Sequence, residues 1–382
     1  MVVVVAAMAL LSAACSQRST GDRPFVDEAF YRKEFRLEPG QRGRLLASQV
    51  PDGIPKGLVG WRILYQSVDV SGRPTVVSGM ALRPDRAQPA GGWPLIAYAH
   101  GTTGIADGCA PSRNPSALAL VQDLLAAGYA VVETDYVGLG TRGVHPYLDG
   151  GTEGRAVLDS IRAARELPDL HAGGRAVIWG YSQGGHAALF AGQIAVTEGA
   201  DLGIVAVVDQ AGPSRAKFAL DGRRASGAYE FFLLTAVAAS RTRSGLALGD
   251  VVGPGGVAVA PDIVADGSPD CPDFGALANG VPADQRVSDP VANHPGWLAA
   301  FAALELPAAG AIAPTYIQHG TADTTVKFSE STNARARLCA GGTIVTFHGQ
   351  VGGIHLTAVD PKPPLAWLDD LNSGKAPPDD CP

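Results

Sequence analysis

The chain has 382 residues, of which 46% are hydrophobic and 18% are charged, and its formal net charge is −7. This length can bury one large core or two domains, and the composition is typical of a compact globular protein rather than a disordered one. Lysines are few and scattered, and no basic stripe is available for a phosphate backbone. Nucleic-acid binding is therefore disfavoured.

The chain begins with a short apolar stretch, residues 1–14, which ends in small residues. It is too short to span a bilayer and lies where a secretory signal would lie, so we expect export. The basic region that usually opens such a signal is missing. Ser12 and Ala14 permit cleavage before Cys15, as at a bacterial lipoprotein site, although leucine is usual at the position of Ser12. Free secretion and lipid anchoring through Cys15 both stay open.

Four further cysteines follow along the chain: Cys109, Cys271, Cys339 and Cys381. An even number in an exported chain indicates two disulfides, and spacing alone does not choose among the three connectivities. No pair has CxxC spacing, and no histidine lies at zinc-ligand spacing from them. We expect neither a metal nor a cofactor.

The predicted elements begin after a polar arm, residues 16–60, which we expect to pack on the body through Phe30, Tyr31 and Phe35. Segments 61–69 and 75–83, separated by a turn sequence, predict an antiparallel pair of strands. From residue 93 onward strand and helix patterns alternate. The predicted strands are 93–99, 129–135, 175–180, 203–209, 315–319 and 343–348, and the predicted helices are 115–127, 154–167, 183–198, 329–340 and 364–372.

This alternation predicts an α/β fold with a mostly parallel central sheet flanked by helices, built from residues 61–212 and 313–382. The interruption at 213–312 is too long for a bare loop in a compact fold. Two apolar runs within it, 229–239 and 295–306, predict helices. We interpret the interruption as a helical cap, inserted over the sheet edge, that lines an acyl pocket. The alternative is that these helices are ordinary core.

A GxSxG pentapeptide places Ser182 between Gly180 and Gly184. A serine on a sharp strand-to-helix turn has a strained backbone, and only small residues fit two positions on either side of it. The pattern is weak by itself because the chain has 48 glycines, and an ordinary glycine-rich turn is the alternative. The predicted strand before it and helix after it favour Ser182 as a nucleophile.

A serine hydroxyl needs a general base, and that base needs an orienting carboxylate. Asp323 and His355 each follow a later predicted strand, in the chain order that such an elbow requires. His348 is the closest alternative base, but it ends its strand and lacks the small residues that let a loop reach inward. Asp209 and Asp360 are interpreted as solvated or capping residues rather than as the acid.

Acyl transfer also needs donors for the developing oxyanion. The backbone N–H of Gln183, directly after the serine, is one candidate. The loop after strand 93–99 reads His-Gly-Thr-Thr-Gly and nominates the Thr102 N–H as the second, with Gly101 allowing close approach or itself donating. A turn that simply needs glycine is the alternative.

The segments GYSQGG, HGTAD, GGIH and AHGTTG, with TDYVGLG, CAPS and the four cysteines, resemble the secretory lipase family of α/β-hydrolases, the lipase A type. The resemblance runs from about Phe30 to the C-terminus. It implies an α/β-hydrolase fold with a helical lid, and it implies these site residues and pairings: Ser182, Asp323 and His355 as triad, and disulfides Cys109–Cys271 and Cys339–Cys381. Some members carry acidic residues where this chain has His-Gly, so substrate preference stays open.

We predict a secreted or lipid-anchored serine ester hydrolase, a lipase or carboxylesterase that forms an acyl-enzyme on lipid or other carboxylic esters. We also expect contact with a membrane or lipid interface through the cap or the anchor. An acyltransferase, or a serine peptidase or amidase, would use the same triad. A non-catalytic envelope binding protein of the same fold would be recognised by a broken triad, and this chain has all three members.

Overall fold

A mixed sheet forms the centre of the protein. The computed structural model describes residues 27–222, 228–265 and 267–382, and the predicted signal at 1–14 and Cys15 lie outside this range. Within the described residues the sheet has nine strands in the order β1-β2-β3-β5-β4-β6-β7-β8-β9. They are β1 Leu45–Gln49, β2 Leu58–Val68, β3 Pro74–Pro84, β4 Trp93–Ala99, β5 Ala130–Val137, β6 Ala172–Tyr181, β7 Ile204–Gln210, β8 Thr315–Gly320 and β9 Val345–Gln350.

Strand pairing confirms the predicted mostly parallel sheet. β1, β2, β3 and β5 pair antiparallel, whereas every pair from β5 through β4, β6, β7 and β8 to β9 is parallel. The carboxyl ends of parallel strands meet at one edge of a sheet. The loops after β4, β6, β8 and β9 are therefore brought to the same edge.

Helices cover both faces of the sheet, and others lie between β7 and β8. The α-helices in the described residues are α1 Glu28–Tyr31, α2 Gln122–Ala126, α3 Gly150–Glu166, α4 Gln183–Glu198, α5 Lys217–Gly222, α6 Tyr229–Thr242, α7 Pro254–Val264, α8 Phe274–Asn279, α9 Pro295–Ala302, α10 Phe328–Ala340 and α11 Lys362–Asn372. Along β4, Leu95 and Ala97 pack in one buried cluster with α3 and α4, whereas Ile96 and Tyr98 pack in another with α2 and α11. This alternation is the period of two that a strand buried on both faces shows.

Most predicted elements are present, and the differences have local causes. The predicted strands are found with ends that differ by at most about three residues, within the usual uncertainty of strand boundaries. Helix α3 begins at Gly150, four residues earlier than predicted, because the Asp149 side chain accepts the Thr152 N–H and caps it. The predicted helix 115–127 is a 3₁₀ segment, Pro115–Leu120, followed by the short α2.

Several elements were not predicted from the sequence: strand β1 and the helices α1, α5, α7 and α8. β1 pairs with β2 at the edge of the sheet, within the segment assigned to a polar arm. Helix α7 begins in the Gly/Pro-rich stretch, since Pro254 occupies the first turn, where a missing N–H costs nothing. In the same N-terminal region Phe30 and Tyr31 are buried against Leu64.

Residues 213–312, here called the insertion, carry helices α5 to α9 between β7 and β8. Their apolar side chains form a buried cluster that also includes Ile105, Tyr147 and Leu148 from outside the insertion. Phe232 and Leu233 are fully buried in it. The insertion thus packs against the loop after β4 and the loop before α3.

Candidate active site

Ser182 lies at the turn between β6 and α4 with φ 55° and ψ −119°, a backbone conformation that is rare for a residue with a side chain. The flanking glycines make this turn sterically possible. A Cβ at Gly180 would lie 1.9 Å from the Gly184 carbonyl oxygen, and a Cβ at Gly184 would lie 1.8 Å from the Ala99 carbonyl oxygen. The pentapeptide therefore forms the strained elbow that its spacing predicts.

The structure brings Ser182, His355 and Asp323 together. His355 Nδ1 lies 2.6 Å from Asp323 Oδ2, and His355 Nε2 lies 3.0 Å from Ser182 Oγ. Because a carboxylate only accepts, Nδ1–H donates to Asp323, and Nε2 is left to accept the proton of the serine hydroxyl. Ser182 is 9% exposed and the His355 side chain 14% exposed, so the group is mostly shielded from water.

The Asp323 carboxylate is held by four donors. Oδ1 accepts the backbone N–H groups of Thr325 and Val326 at 2.8 and 3.0 Å, and Oδ2 accepts His319 Nε2–H at 2.9 Å as well as His355. Burial disfavours the charged form, but the hydrogen bonds from His319 and His355 hold the pKa of Asp323 at about 2. The carboxylate is thus charged at neutral pH and fixes the orientation of the His355 ring.

Tyr181 lies beside the base and was missed by the sequence patterns. Its ring centroid is 5.0 Å from that of His355, and its hydroxyl lies 3.5 Å from the His355 carbonyl oxygen. Burial raises the pKa of Tyr181 well above its ordinary value. Its place directly before the serine is the one sequence signal for this contact.

The candidate oxyanion donors lie around the same elbow. Gln183 is the first residue of α4, where a backbone N–H has no partner within the helix. A Cβ at Gly101 would lie 3.2 Å from the Tyr181 ring, so the loop after β4 packs directly on the elbow. The Thr102 hydroxyl lies 2.8 Å from the Tyr147 hydroxyl, which ties this loop to the residues before α3.

The alternative acids and bases lie elsewhere. His348 is exposed on β9 and stacks on Tyr316 with 6.3 Å between ring centroids. Asp209 caps a turn, since Oδ1 accepts the Gly212 N–H at 2.8 Å, but it is fully buried rather than solvated, and burial raises its pKa to about 6. It is buried because β7 is a central strand. Asp360 accepts the Lys362 N–H at the start of α11.

Disulfides join Cys109 to Cys271 and Cys339 to Cys381, the two pairings that the family resemblance implies. The first connects the segment after the Gly101 loop to the insertion, and Cys271 Sγ lies 3.3 Å from the Thr103 carbonyl oxygen. In the described part of the chain there is no helix long and apolar enough to cross a membrane and no cluster of side chains suited to a metal ion.

Comparison with known proteins finds similarity to lipases. Residues 115–229 match the secretory lipase family. Lipase 4 of Candida albicans is 28% identical over 202 residues, which cover 46% of this chain, and a probable inactive lipase of Mycobacterium tuberculosis is 29% identical over 169 residues, which cover 41%. The crystal structure of Candida antarctica lipase A superposes with a TM-score of 0.77 at 20% identity, covering 89% of this chain and 84% of that one.

The sheet order and the serine elbow between strand and helix define the α/β-hydrolase fold. Residues 115–229 match the model of the secretory lipase family, and the fold as a whole is that of lipase A. The matched region spans 42% of the length of the Candida albicans lipase and 37% of the Mycobacterium tuberculosis relative.

Proposed function

We propose that this protein is an exported carboxylic ester hydrolase, of lipase or esterase type, that works through an acyl-enzyme on Ser182. The observation that carries the proposal is the continuous hydrogen-bond chain from Asp323 through His355 to Ser182. Such a chain raises the nucleophilicity of a hydroxyl that is otherwise a poor nucleophile at neutral pH. The family contains lipases and also a relative named as inactive, so activity needs a direct test.

In the proposed reaction, Ser182 Oγ attacks the ester carbonyl carbon while His355 Nε2 takes the hydroxyl proton. The imidazolium then protonates the departing alkoxide, and the alcohol leaves an acyl group on Ser182. Water attacks this acyl-enzyme, again giving its proton to His355, which returns it to Ser182 as the carboxylic acid departs. Asp323 keeps Nδ1–H bound throughout and stabilises the positive ring.

The oxyanion formed in each half-reaction needs fixed donors. We assign these to the backbone N–H of Gln183 and to the loop after β4, through Thr102 or Gly101. The placement of Gln183 at the start of α4 supports this, because a helix N-terminus favours negative charge. The packing of Gly101 on the Tyr181 ring supports the contribution of the loop.

We propose that the insertion is a cap that selects the acyl group. Its apolar cluster includes Ile105, which follows the Thr102 loop in the sequence, and Tyr147, whose hydroxyl contacts the Thr102 hydroxyl. Lipid esters present long apolar chains, and burying each methylene is worth about 0.8 kcal/mol. A chain-length series of p-nitrophenyl esters, compared with emulsified triglyceride, would show which acyl groups the cap accepts.

Labelling with a fluorophosphonate tests the proposed nucleophile. We expect wild-type protein to be labelled and Ser182→Ala not to be. Ser160→Ala is a matched control, because Ser160 is a buried serine whose hydroxyl donates to the Val157 carbonyl at 2.7 Å, and it should label like the wild type. An unlabelled wild-type protein that is folded would identify a catalytically inactive member of the family.

Export and anchoring need a separate measurement. Two disulfides and the match of residues 115–229 to a secretory family support export. We propose Cys15 as the lipidation candidate, and mass spectrometry of the mature N-terminus from the native host would test it. A mature chain with an unmodified or internal Cys15 would show that the protein is not a lipoprotein.

A further inference from the structure

A second group of buried polar side chains lies beneath the elbow. The Glu153 cluster consists of Glu153, His145, His186 and Gln183, all less than 2% exposed. None of the first three takes part in the proposed chemistry. Gln183 connects them to it, because its backbone follows the nucleophile while its side chain points into the cluster.

The Gln183 side chain has two acceptors. Its Nε2 lies 2.7 Å from Glu153 Oε1 and 2.7 Å from His145 Nε2. His145 Nδ1 lies 3.0 Å from the Val137 carbonyl oxygen, which only accepts, so Nδ1 carries a proton. Nε2 then accepts from the amide. Both amide protons of Gln183 are bound in fixed directions.

Glu153 also holds the segment before α3, which contacts the Thr102 loop. Oε1 accepts the Leu148 N–H at 2.9 Å, and Leu148 has φ 59°, a conformation that needs such support in a residue with a side chain. The preceding residue, Tyr147, meets the Thr102 hydroxyl at 2.8 Å. One carboxylate therefore connects Gln183 and the Thr102 loop.

The Glu153 carboxylate is charged in the folded protein. Burial disfavours the charge, but hydrogen bonds donated to the carboxylate, among them that from His186, hold the pKa of Glu153 at about 2. His186 Nδ1 lies 3.2 Å from Oε2, and its Nε2 lies 3.3 Å from the Leu304 carbonyl oxygen in the insertion. Hydrogen bonds to a charged acceptor are about twice as strong as neutral ones, so Glu153 holds Gln183 and Leu148 strongly.

We propose that Glu153 is a positioning residue for the oxyanion site: it holds the Gln183 side chain directly, and it holds the Thr102 loop through Leu148 and Tyr147. Oxyanion donors stabilise the transition state only when they are fixed before the reaction. Glu153 touches no substrate and acts through Gln183, Leu148 and Tyr147. This inference depends on the proposed hydrolase function.

The test is the substitution Glu153→Gln, which keeps size and shape but replaces the charged acceptor. We expect kcat on a p-nitrophenyl ester to fall by about 10-fold or more, because loss of one oxyanion donor costs about 100-fold and here the donors are only loosened. KM should change by less than about 3-fold, since the ground-state ester carries little charge.

Asp159→Asn is the matched control on the same helix. Asp159 is also fully buried and bonds Ser67 and Arg42 at 2.7 and 3.0 Å, away from the elbow. We expect it to lower the thermal midpoint without lowering kcat. Equal kcat in Glu153→Gln and wild type, or an equal loss of kcat in both variants, would overturn the positioning role.

A double-mutant cycle with Gln183→Met tests whether Glu153 acts through the Gln183 side chain. Methionine keeps the backbone N–H and the chain length but cannot bond Glu153 or His145. We expect Gln183→Met alone to lower kcat by about 10-fold and the double variant to lose little more, since residues of one network are not additive. If the effects of the two substitutions on kcat are fully additive, Glu153 does not act through Gln183. If Glu153→Gln does not fold, a Gln183→Met protein with wild-type kcat overturns the proposal.

This failure differs from failure of the hydrolase function. If the wild-type protein neither labels with fluorophosphonate nor hydrolyses esters, the proposed function fails. If the wild type is active and the two variants match it, only the role of Glu153 fails.

Discussion

Two buried carboxylates in this protein are each flanked by two histidines, yet the histidine rings are directed differently in the two groups. Asp323 lies between His319 and His355, and Glu153 lies beside His145 and His186. In both the pKa is held at about 2 against the effect of burial. The local chemistry of the two groups is therefore similar.

What differs is where the ring nitrogens point. Both nitrogens of His145 and of His186 face internal partners, so neither ring can receive a proton from a substrate-facing group. His355 directs only Nδ1 inward and turns Nε2 to Ser182 at a partly exposed surface. A carboxylate–histidine pair becomes a candidate base only when one nitrogen remains for a nucleophile.

The largest expected effect is at the base. His355→Gln should lower kcat by about 10⁵-fold or more, because it removes the proton acceptor for Ser182. His348→Gln, on the neighbouring exposed strand position, should leave kcat near the wild-type value. Steady-state hydrolysis of a p-nitrophenyl ester measures both, and comparable losses in the two variants would contradict the choice of base.

The next effect is at the acid. Asp323→Asn should lower kcat by about 10⁴-fold with little change in KM, since the amide no longer fixes the His355 tautomer. Asp209→Asn changes another buried aspartate near the elbow, and its Oδ1 contact with Gly212 can be kept by the amide oxygen. We expect kcat within about 3-fold of wild type there. An inactive Asp209→Asn protein with a native fold would assign Asp209 a catalytic part.

The smallest effect is on stability in acid. Asp323 and Glu153 have folded pKa values below their ordinary ones, so their contribution is present above about pH 4 to 5 and is lost as pH falls towards 2. For Glu153 the loss is on the order of 3 kcal/mol. Urea unfolding between pH 6 and 3 should show a shallower decline in Glu153→Gln than in wild type.

Asp209 supplies a control of opposite sign. Its folded pKa is raised to about 6, so its contribution is present below its ordinary pKa and is lost as pH rises through 6. Asp209→Asn should therefore remove a decline in unfolding free energy between about pH 4 and 6. If Glu153→Gln and Asp209→Asn change the pH profile of the unfolding free energy in the same direction, the pKa values of the two carboxylates are not shifted in opposite directions as the structure indicates.

Most strands and helices of the sheet region could be predicted from the periodicity of apolar residues and from the order of the elements along the chain. Strand β4 and helix α4 have the predicted ends because the apolar pattern and the flanking turn residues are local signals. The edge strand β1 was missed, since it is short and only half-buried and is stabilised by pairing with β2 rather than by its own pattern. Helix α7 was missed because its glycines are poor helix formers and packing in the insertion overrides them.

The sequence by itself determined the elbow and the convergence of Ser182, Asp323 and His355, because a strained turn requires glycines at fixed spacing and parallel strands end at one edge of the sheet. Only the tertiary structure decided the Glu153 cluster. Glu153 and Gln183 lie on different helices, 30 residues apart. No local pattern marks such a contact, since burial creates both the need for partners and the strength of the bonds between them.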